Sequence, residues 1–454
     1  MKKLKHLIVA AFIIMLSMNS FSQGVGINND ESDADPSAML DVKSSDKGFL
    51  MPRMLKEQVL IITNPAEGLL VFATDISSFM YYTNGRWNEL NGYFGNGWGT
   101  ISATETSNTL FGYSAYDFET RFGSSVSIDG DYCVVGAPGQ IISNDTCKGK
   151  AVIFQYENGY WSETATLTAS DGAAFNYFGA SVSISEDNIV VGAYGNNNGQ
   201  GKAYVFHKDG TNWTQVAQLI ANDGASGNWF GESVAIHQNT IIVGDPHRGV
   251  SISNDGKVYL FHFDGSNWVP AGDLVSPSPG YYASFGKSVS VYGNYIAIGE
   301  PHYYAGNGTV YIYHYDGSNW VLQTTFGGVS SYYHIGKSIS INNDYVVFNS
   351  GSSKCYILHR DGSNWTEQTI ENNRSANSVS LSGDYFVLGL SESAIYKRSG
   401  TTWKYVQKLV QSNPQVGDFF GKSVSISNDK IAIGAPSYDI NSVSDVGAVY
   451  WYNK

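Results

Sequence analysis

From about residue 120 onward, apolar and polar residues alternate in short runs broken by tight turns, as in KAYVFH from Lys202 and KVYLFH from Lys257. Alternation with a period of two places successive side chains on opposite faces of an extended chain, so these runs are predicted to be half-buried β-strands. The runs come in a fixed order. Phe-Gly, one further residue, Ser-Val-Ser-Ile, a turn and an apolar strand ending in Gly-Ala-Pro or a variant begin at Phe122, Phe178, Phe230, Phe285 and Phe420. Degenerate copies begin at Ile335 and at Ala376, the latter with Asn377 in place of glycine. A second phrase follows all but the last copy, in which a strand runs into a turn and then a tryptophan. It reads HKDGTNW from His207, HFDGSNW from His262, HYDGSNW from His314 and HRDGSNW from His359, with weaker forms from Gln155 and Tyr396. The Asp-Gly and Asn-Gly pairs supply the positive φ that tight hairpins require.

Each unit therefore reads as four short antiparallel strands. One such sheet cannot bury both of its faces, whereas a ring of them buries each against the next and leaves only short edges. The predicted fold is all-β, a seven-bladed β-propeller of four-stranded blades. The recurring Trp161, Trp213, Trp268, Trp320, Trp365 and Trp403 are assigned to packing between blades, because a fixed place in every repeat suits a core. The last unit stops after its third strand. The segment NGWGTISATE from Asn96, with Trp98, is predicted to supply the missing outer strand and close the ring.

The N-terminus departs from this pattern. Three lysines precede an apolar run from Leu7 to about Met18, with small residues at Ser20 and Ser22, the pattern of a secretory signal cleaved after Ser22. The run is too short to span a bilayer, which takes roughly 20 apolar residues. The expectation is an exported protein, secreted, at the cell surface or in the periplasm, with no membrane insertion after cleavage. The predicted organisation is 1–22 signal, 23–92 a small N-terminal module, and 93–454 the propeller.

Composition sharpens this picture. Fifty glycines, 14% aromatic and only 15% charged residues suit short strands and turns better than long solvated helices. A net charge of -13 argues against nucleic acid and anionic membranes, which need clustered Lys and Arg, and is compatible with calcium or a neutral glycan; the expected partner is an extracellular protein or glycan. Three cysteines cannot form a disulfide framework. Cys133 and Cys147 are close enough in sequence to close a local loop, and Cys355 reads as a buried small apolar residue.

With these phrases in view, the region from about Asn96 to Lys454 resembles the FG-GAP repeat family, the β-propeller of the integrin α-subunit head. The resemblance implies a propeller used in adhesion or ligand recognition. In calcium-binding members of that family an Asp-rich loop joins the first two strands. Here that connection is a short turn, such as DGDY from Asp129 or SEDN from Ser185, with one or two carboxylates, so no metal site and no cofactor is carried over. Residues 24 to about 92 resemble a short module of bacterial exported proteins, including tail-fibre-like ones, and are read as a spacer or attachment module, with a β-hairpin ending at Trp87.

In a four-stranded blade, the connections between second and third strands and those leading into the next blade share one face. Those connections vary in length and are rich in aromatics, which offer large, stiff, amphipathic area at low entropic cost. The candidate binding residues are Tyr177, Trp229, His247, Arg248, Tyr281, Tyr282, His302, Tyr303, Tyr304, Tyr332, Tyr333 and Tyr438. The alternative is a carbohydrate-active enzyme, a glycan lyase or hydrolase. It would use Asp245, His247 and Arg248 beside Glu300, His302, Tyr303 and Tyr304, since a carboxylate, an imidazole and a phenol can together do acid–base chemistry. His207, His262, His314 and His359 recur one per unit around the ring and cannot converge on one ion, so they are read as strand-end residues.

Overall fold

The computed structural model describes residues 25–27, 40–42, 50–74, 78–83, 86–90, 110–111, 120–139, 147–249, 254–302, 308–327, 334–350, 354–411, 414–440 and 444–453. The chain divides into two compact units, Met1–Phe94 and Gly95–Lys454. In the first, Arg53–Met54 runs parallel to Leu70–Ala73, which continues antiparallel into Ser78–Thr83 and Arg86–Leu90. The last pair is the expected hairpin, with Tyr82 opposite Trp87. Val59, Val71, Ala73 and Met80 form its core.

Among the described residues, the second unit carries seven antiparallel-meander sheets, numbered here in chain order, and is all-β as expected of a β-propeller. The first sheet comprises Ser125–Asp129, Tyr132–Ala137, Lys150–Glu157 and Tyr160–Leu167. The next four repeat this plan. In the sixth a fifth strand is added, correcting the uniform four: Thr369–Ile370 leaves the outer edge of the fifth sheet and pairs in parallel with Thr402–Trp403. Gln368 marks the crossing, its side chain accepting the Trp403 indole N–H at 2.9 Å. In the seventh, Ser423–Ser427, Lys430–Ala435 and Ala448–Asn453 are joined by Leu110–Phe111 from far upstream, antiparallel to Ala448–Val449. The segment expected in that place, from Asn96 with Trp98, lies outside the described residues.

The second strands are apolar on both faces because a neighbouring sheet covers each, as in Tyr295–Glu300, where every residue is buried. The hydrophobic clusters accordingly lie between sheets and not within them. Trp213 packs in the cluster shared by the first and second sheets, Trp268 in that of the second and third, Trp320 in the next, Trp365 in the next, and Trp403 between fifth and sixth. Trp161 packs in a cluster that joins residues of the first sheet to Ala432, Val449 and Trp451 of the seventh. The tryptophans are inter-sheet residues, as their place in the repeat predicts.

The Ser-Val-Ser phrase stitches the innermost strands together. Ser125, Ser181, Ser233 and Ser288 each donate to the backbone carbonyl of the Phe-Gly glycine, or its counterpart, in the following sheet, at 2.7–2.9 Å. Ser378 does the same to Gly421, and Ser423 of the seventh sheet donates to Gly123 of the first at 2.8 Å. The second serine accepts in the other direction: Ile184 N–H donates to Ser127, and Ile128 N–H to Ser425.

One junction departs from this scheme, and its sequence explains why. The glycine of Gly-Ala-Pro faces the incoming Phe-Gly backbone so closely that a Cβ at Gly136, Gly192, Gly244, Gly299 or Gly434 would overlap a carbonyl oxygen of the next sheet. The sixth unit begins with Ala376-Asn377 instead, and the facing glycine is Asn349. Its side-chain amide fills the gap and donates to the Ala376 carbonyl at 2.7 Å.

The hairpins split into two kinds. HKDGTNW and HRDGSNW turn over two residues, with Asp209 paired to Asn212 and Asp361 to Asn364. In HFDGSNW and HYDGSNW the last pairs are Phe263–Trp268 and Tyr315–Trp320. Asp264 and Asp316 cap these wider loops by accepting from two backbone N–H groups each. No disulfide joins Cys133 to Cys147. Cys133 lies in the core shared with the seventh sheet, where burial pushes its thiol up to about 12. Cys355 is buried as expected.

Candidate functional site

The connection entering each sheet is locked to that sheet's own second-to-third connection by one recurring backbone bond. The residue two before Phe accepts from Gly139 at Thr120, from Gly195 at Asn176, from His247 at Asn228, from His302 at Ala283 and from Ser437 at Asp418. The two loop types therefore share a face. Thr120, Asn176, Asn228 and Asp418 are buried there, and Asp418 adds side-chain caps to the Phe420 and Gln415 N–H groups.

The residue between that anchor and the inward-turning Phe must reverse the chain. Arg121, Tyr177, Trp229, Ser284 and Phe419 all have φ between 54° and 69° there, and Phe175 and Tyr282 adopt the same conformation two residues earlier. A bulky residue at positive φ is uncommon and costs about 1–3 kcal/mol unless the surroundings enforce it. The enforcement comes from bonds on both sides, such as Trp229 N–H to Gly199 and Glu232 N–H to Trp229. The consequence is a set of aromatics turned outward: Phe175 is 56% exposed, Tyr281 69%, Tyr282 40% and Phe419 60%.

Between the second and third sheets these rings form a ladder. Tyr177 stacks on Tyr194 at 5.2 Å between centroids and 10° between planes. Tyr194 meets Trp229 at 5.3 Å, and Trp229 meets the His247 imidazole at 4.1 Å. The outer part of the ladder, with Phe175, Asn176, Gly195, Asn197 and Asn198, lines an open cavity of about 480 Å³. Its inner end turns polar: His247 Nε2 lies 3.6 Å from Glu232 Oε2, and Glu232 is ion-paired to Lys287. Burial holds the His247 imidazole below its ordinary value, against the pull of Glu232. A larger cavity of about 530 Å³ lies elsewhere, under the Trp268–Val275 strand where Gly272 breaks its regularity. Of its aromatic lining, Tyr315 and Trp320 are packed on each other at 5.2 Å.

Not every predicted residue joins the ladder. Tyr177, Trp229 and His247 do, while Tyr281, Tyr282 and His302 border the next connection. Tyr303, Tyr304, Tyr332 and Tyr333 lie outside the described residues. Tyr438 is corrected: it is 5% exposed and packs in the core between the sixth and seventh sheets. Arg248 turns onto the connection that enters its sheet, donating to the backbone carbonyl and the carboxylate of Asp223. Tyr194 and Phe175 were visible only as members of aromatic loops. Glu232 and Lys287 occupy the most variable position of the repeated phrase, the residue after Phe-Gly, which is the signal that could have found them.

The acids of the enzymatic alternative point inward. Glu300 is fully buried, accepting from Ser276 at 2.5 Å and held 2.6 Å from His302 Nε2. Asp245 is fully buried with neither carboxylate oxygen hydrogen-bonded, and burial pushes it up to about 8. Its charged neighbours are Arg248, Asp223, Lys257 and Glu232. In the unfolded chain it would titrate near ~3.9. Between those values the folded state keeps a proton that the unfolded state has lost, so this group's contribution falls as pH rises through that window. Asp245→Ala restores the residue found at the same place in the first, second and seventh sheets. It is expected to raise the melting temperature clearly at about pH 8 and far less at about pH 5. Equal shifts at both pH values would show that the carboxyl does not carry this cost.

Comparison with known families finds two. Residues 114–154, 161–206, 213–261 and 403–452 match the FG-GAP repeat, and residues 26–108 match the phage tail like trimerisation region. Among the described residues, no helix is long and apolar enough to cross a membrane.

Proposed function

We propose that this chain, an FG-GAP repeat protein, is an exported recognition protein that binds an extracellular glycan or protein through the aromatic face of a closed, seven-bladed propeller. Closure is supported by the Leu110–Phe111 strand on the seventh sheet, the Ser423 bond to Gly123, and the core that Trp161 shares with Trp451. Export rests on the signal pattern of residues 1–22.

The observation that carries the recognition reading is the ladder Tyr177–Tyr194–Trp229–His247 beside an amide-lined cavity. Tyr177 and Trp229 are held at positive φ, which is costly to keep, and flat apolar faces flanked by Asn amides suit a sugar ring, with its apolar face and hydroxyl edge. Glycan is thus favoured over protein. The match of residues 26–108 to a trimerisation region supports display of three propellers on one stalk, where linked weak sites gain avidity of about 10²–10⁴-fold.

The test is a glycan array of the mature chain, paired with an assay for turnover and a measurement of mass in solution. Expected are binding without product and three chains per particle. Trp229→Ala should weaken binding at least about tenfold, the effect of losing one stacking platform worth roughly 1.4 kcal/mol or more. Full binding by Trp229→Ala would remove the ladder from the site, product formation would favour the enzyme, and a monomer would end the trimer reading.

A further inference from the structure

Seven residues line the mouth of the channel enclosed by the innermost strands: Ser124, Ala180, Glu232, Lys287, Lys337, Asn377 and Lys422. Six of them follow a Phe-Gly pair or its counterpart, while Asn377 stands in place of the glycine itself, and each is succeeded by the serine of the repeated phrase. The channel has a volume of about 340 Å³. Its wall is the uniform Ser-Val phrase, so its chemistry is set by these variable positions alone. Three are lysines and one is an acid. Glu232 neutralises Lys287. Among the described residues, no carboxylate lies within salt-bridge distance of Lys337 or Lys422.

In a chain of net charge -13 this is an unexpected place to leave cations unpaired. Partial burial in the mouth, followed by the charges of Lys337 and Lys287, holds the Lys422 ammonium below its ordinary value. Lys337 and Lys422, which have no carboxylate partner among the described residues, are the cations that an incoming anion would stabilise. The mouth also adjoins the ladder. Glu232 and Lys287 both bear on the Tyr194 phenol, and His247 links Trp229 to Glu232. A ligand lying on Trp229 thus reaches the mouth at Glu232 and Lys287, and the same mouth is lined further on by Lys337 and Lys422.

We infer that the channel mouth captures an anionic substituent, a carboxylate or sulfate ester, of a saccharide whose ring lies on the aromatic ladder, with Lys337 and Lys422 as the binding cations. This rests on the recognition reading above and narrows its ligand to acidic glycans. The chain's overall negative charge offers no long-range attraction, so selection for the anion is local and made by contact.

The test is affinity electrophoresis of the full mature chain in gels containing alginate, dextran sulfate or uncharged dextran, at physiological ionic strength. Expected is retardation by alginate if the anion is a carboxylate, or by dextran sulfate if it is a sulfate ester, and little by dextran. Lys337→Gln combined with Lys422→Gln should lower the affinity at least tenfold without lowering the melting temperature, because neither side chain packs in the core and their removal relieves repulsion. Lys354→Gln, an exposed lysine of the fifth sheet outside the mouth, should leave it intact. Loss in Trp229→Ala with no change in the double lysine variant would overturn the anion site and leave recognition standing. Equal loss in Lys354→Gln would reduce the effect to general charge and overturn it as well. Retardation by dextran as strong as by either polyanion would do the same, and absence of retardation in every gel would take away both readings.

Discussion

Gly434→Ala is expected to abolish cooperative folding of the repeat region, leaving aggregated protein or a melting transition lowered by tens of degrees. Gly434 is not at positive φ, so the demand for glycine there is purely one of space. A Cβ would overlap the carbonyl oxygen of Gly123 and the Ser423 hydroxyl that donates to it. The obstacle is backbone and cannot rotate away; the sheets must separate instead. Overpacking a core costs typically about 1–3 kcal/mol, more where no side chain can yield, and domains are stable by only about 5–15 kcal/mol. The junction concerned joins the seventh sheet to the first, so a single methyl group acts on the contact between residues 300 apart in sequence. Asn349 provides the contrast. The backbone facing it is withdrawn, and Asn349→Gly removes the hydrogen bond to Ala376 while creating no overlap, at a cost of about 1–3 kcal/mol. Circular dichroism melts of both variants decide the matter: a Gly434→Ala protein melting within a few degrees of the natural chain would refute the close approach.

Trp403→Ala carries the second largest effect. Its indole is fully buried between the fifth and sixth sheets, against Tyr345 at 5.3 Å and Phe386 at 5.2 Å, with its N–H on Gln368. Truncation leaves a cavity and an unsatisfied amide oxygen, and is expected to cost about 3–5 kcal/mol. Trp213 holds the same place in the second repeat but is only half-buried, beside Tyr132 at 5.9 Å, and its truncation should cost roughly half as much. Urea titration of the two variants measures the difference. Equal costs would mean that repeat position, and not burial, sets the energy.

The repeat was legible because its positions answer to local rules. Alternation specifies strands, Asp-Gly specifies hairpins, and a tryptophan recurring after each hairpin has nowhere to pack but on the neighbouring sheet. Even the degenerate sixth unit is intelligible in sequence once Ala376-Asn377 and Asn349 are seen as partners, since losing the close approach removes the need for glycine. The width of each hairpin was not legible. Identical Asp-Gly-Ser-Asn strings turn over two residues at Asp361 and open into a capped loop at Asp264, because the strand pairing behind them decides where the ladder ends.

The candidate site divides along the same line. Composition pointed to aromatic loops on one face, and the sequence alone determined that Tyr177 and Trp229 belong to them. It could not tell that Tyr438 would turn into the core, that Arg248 would fold back on Asp223, or that Asp245 and Glu300 would be sealed inside, since each depends on what a neighbouring segment presents. The ladder from Tyr177 to His247 and the gathering of Lys287, Lys337 and Lys422 at one mouth exist only in three dimensions. Periodicity assigns a side chain to a face of its own strand; which residues of different repeats come together is set by how each sheet packs on the next.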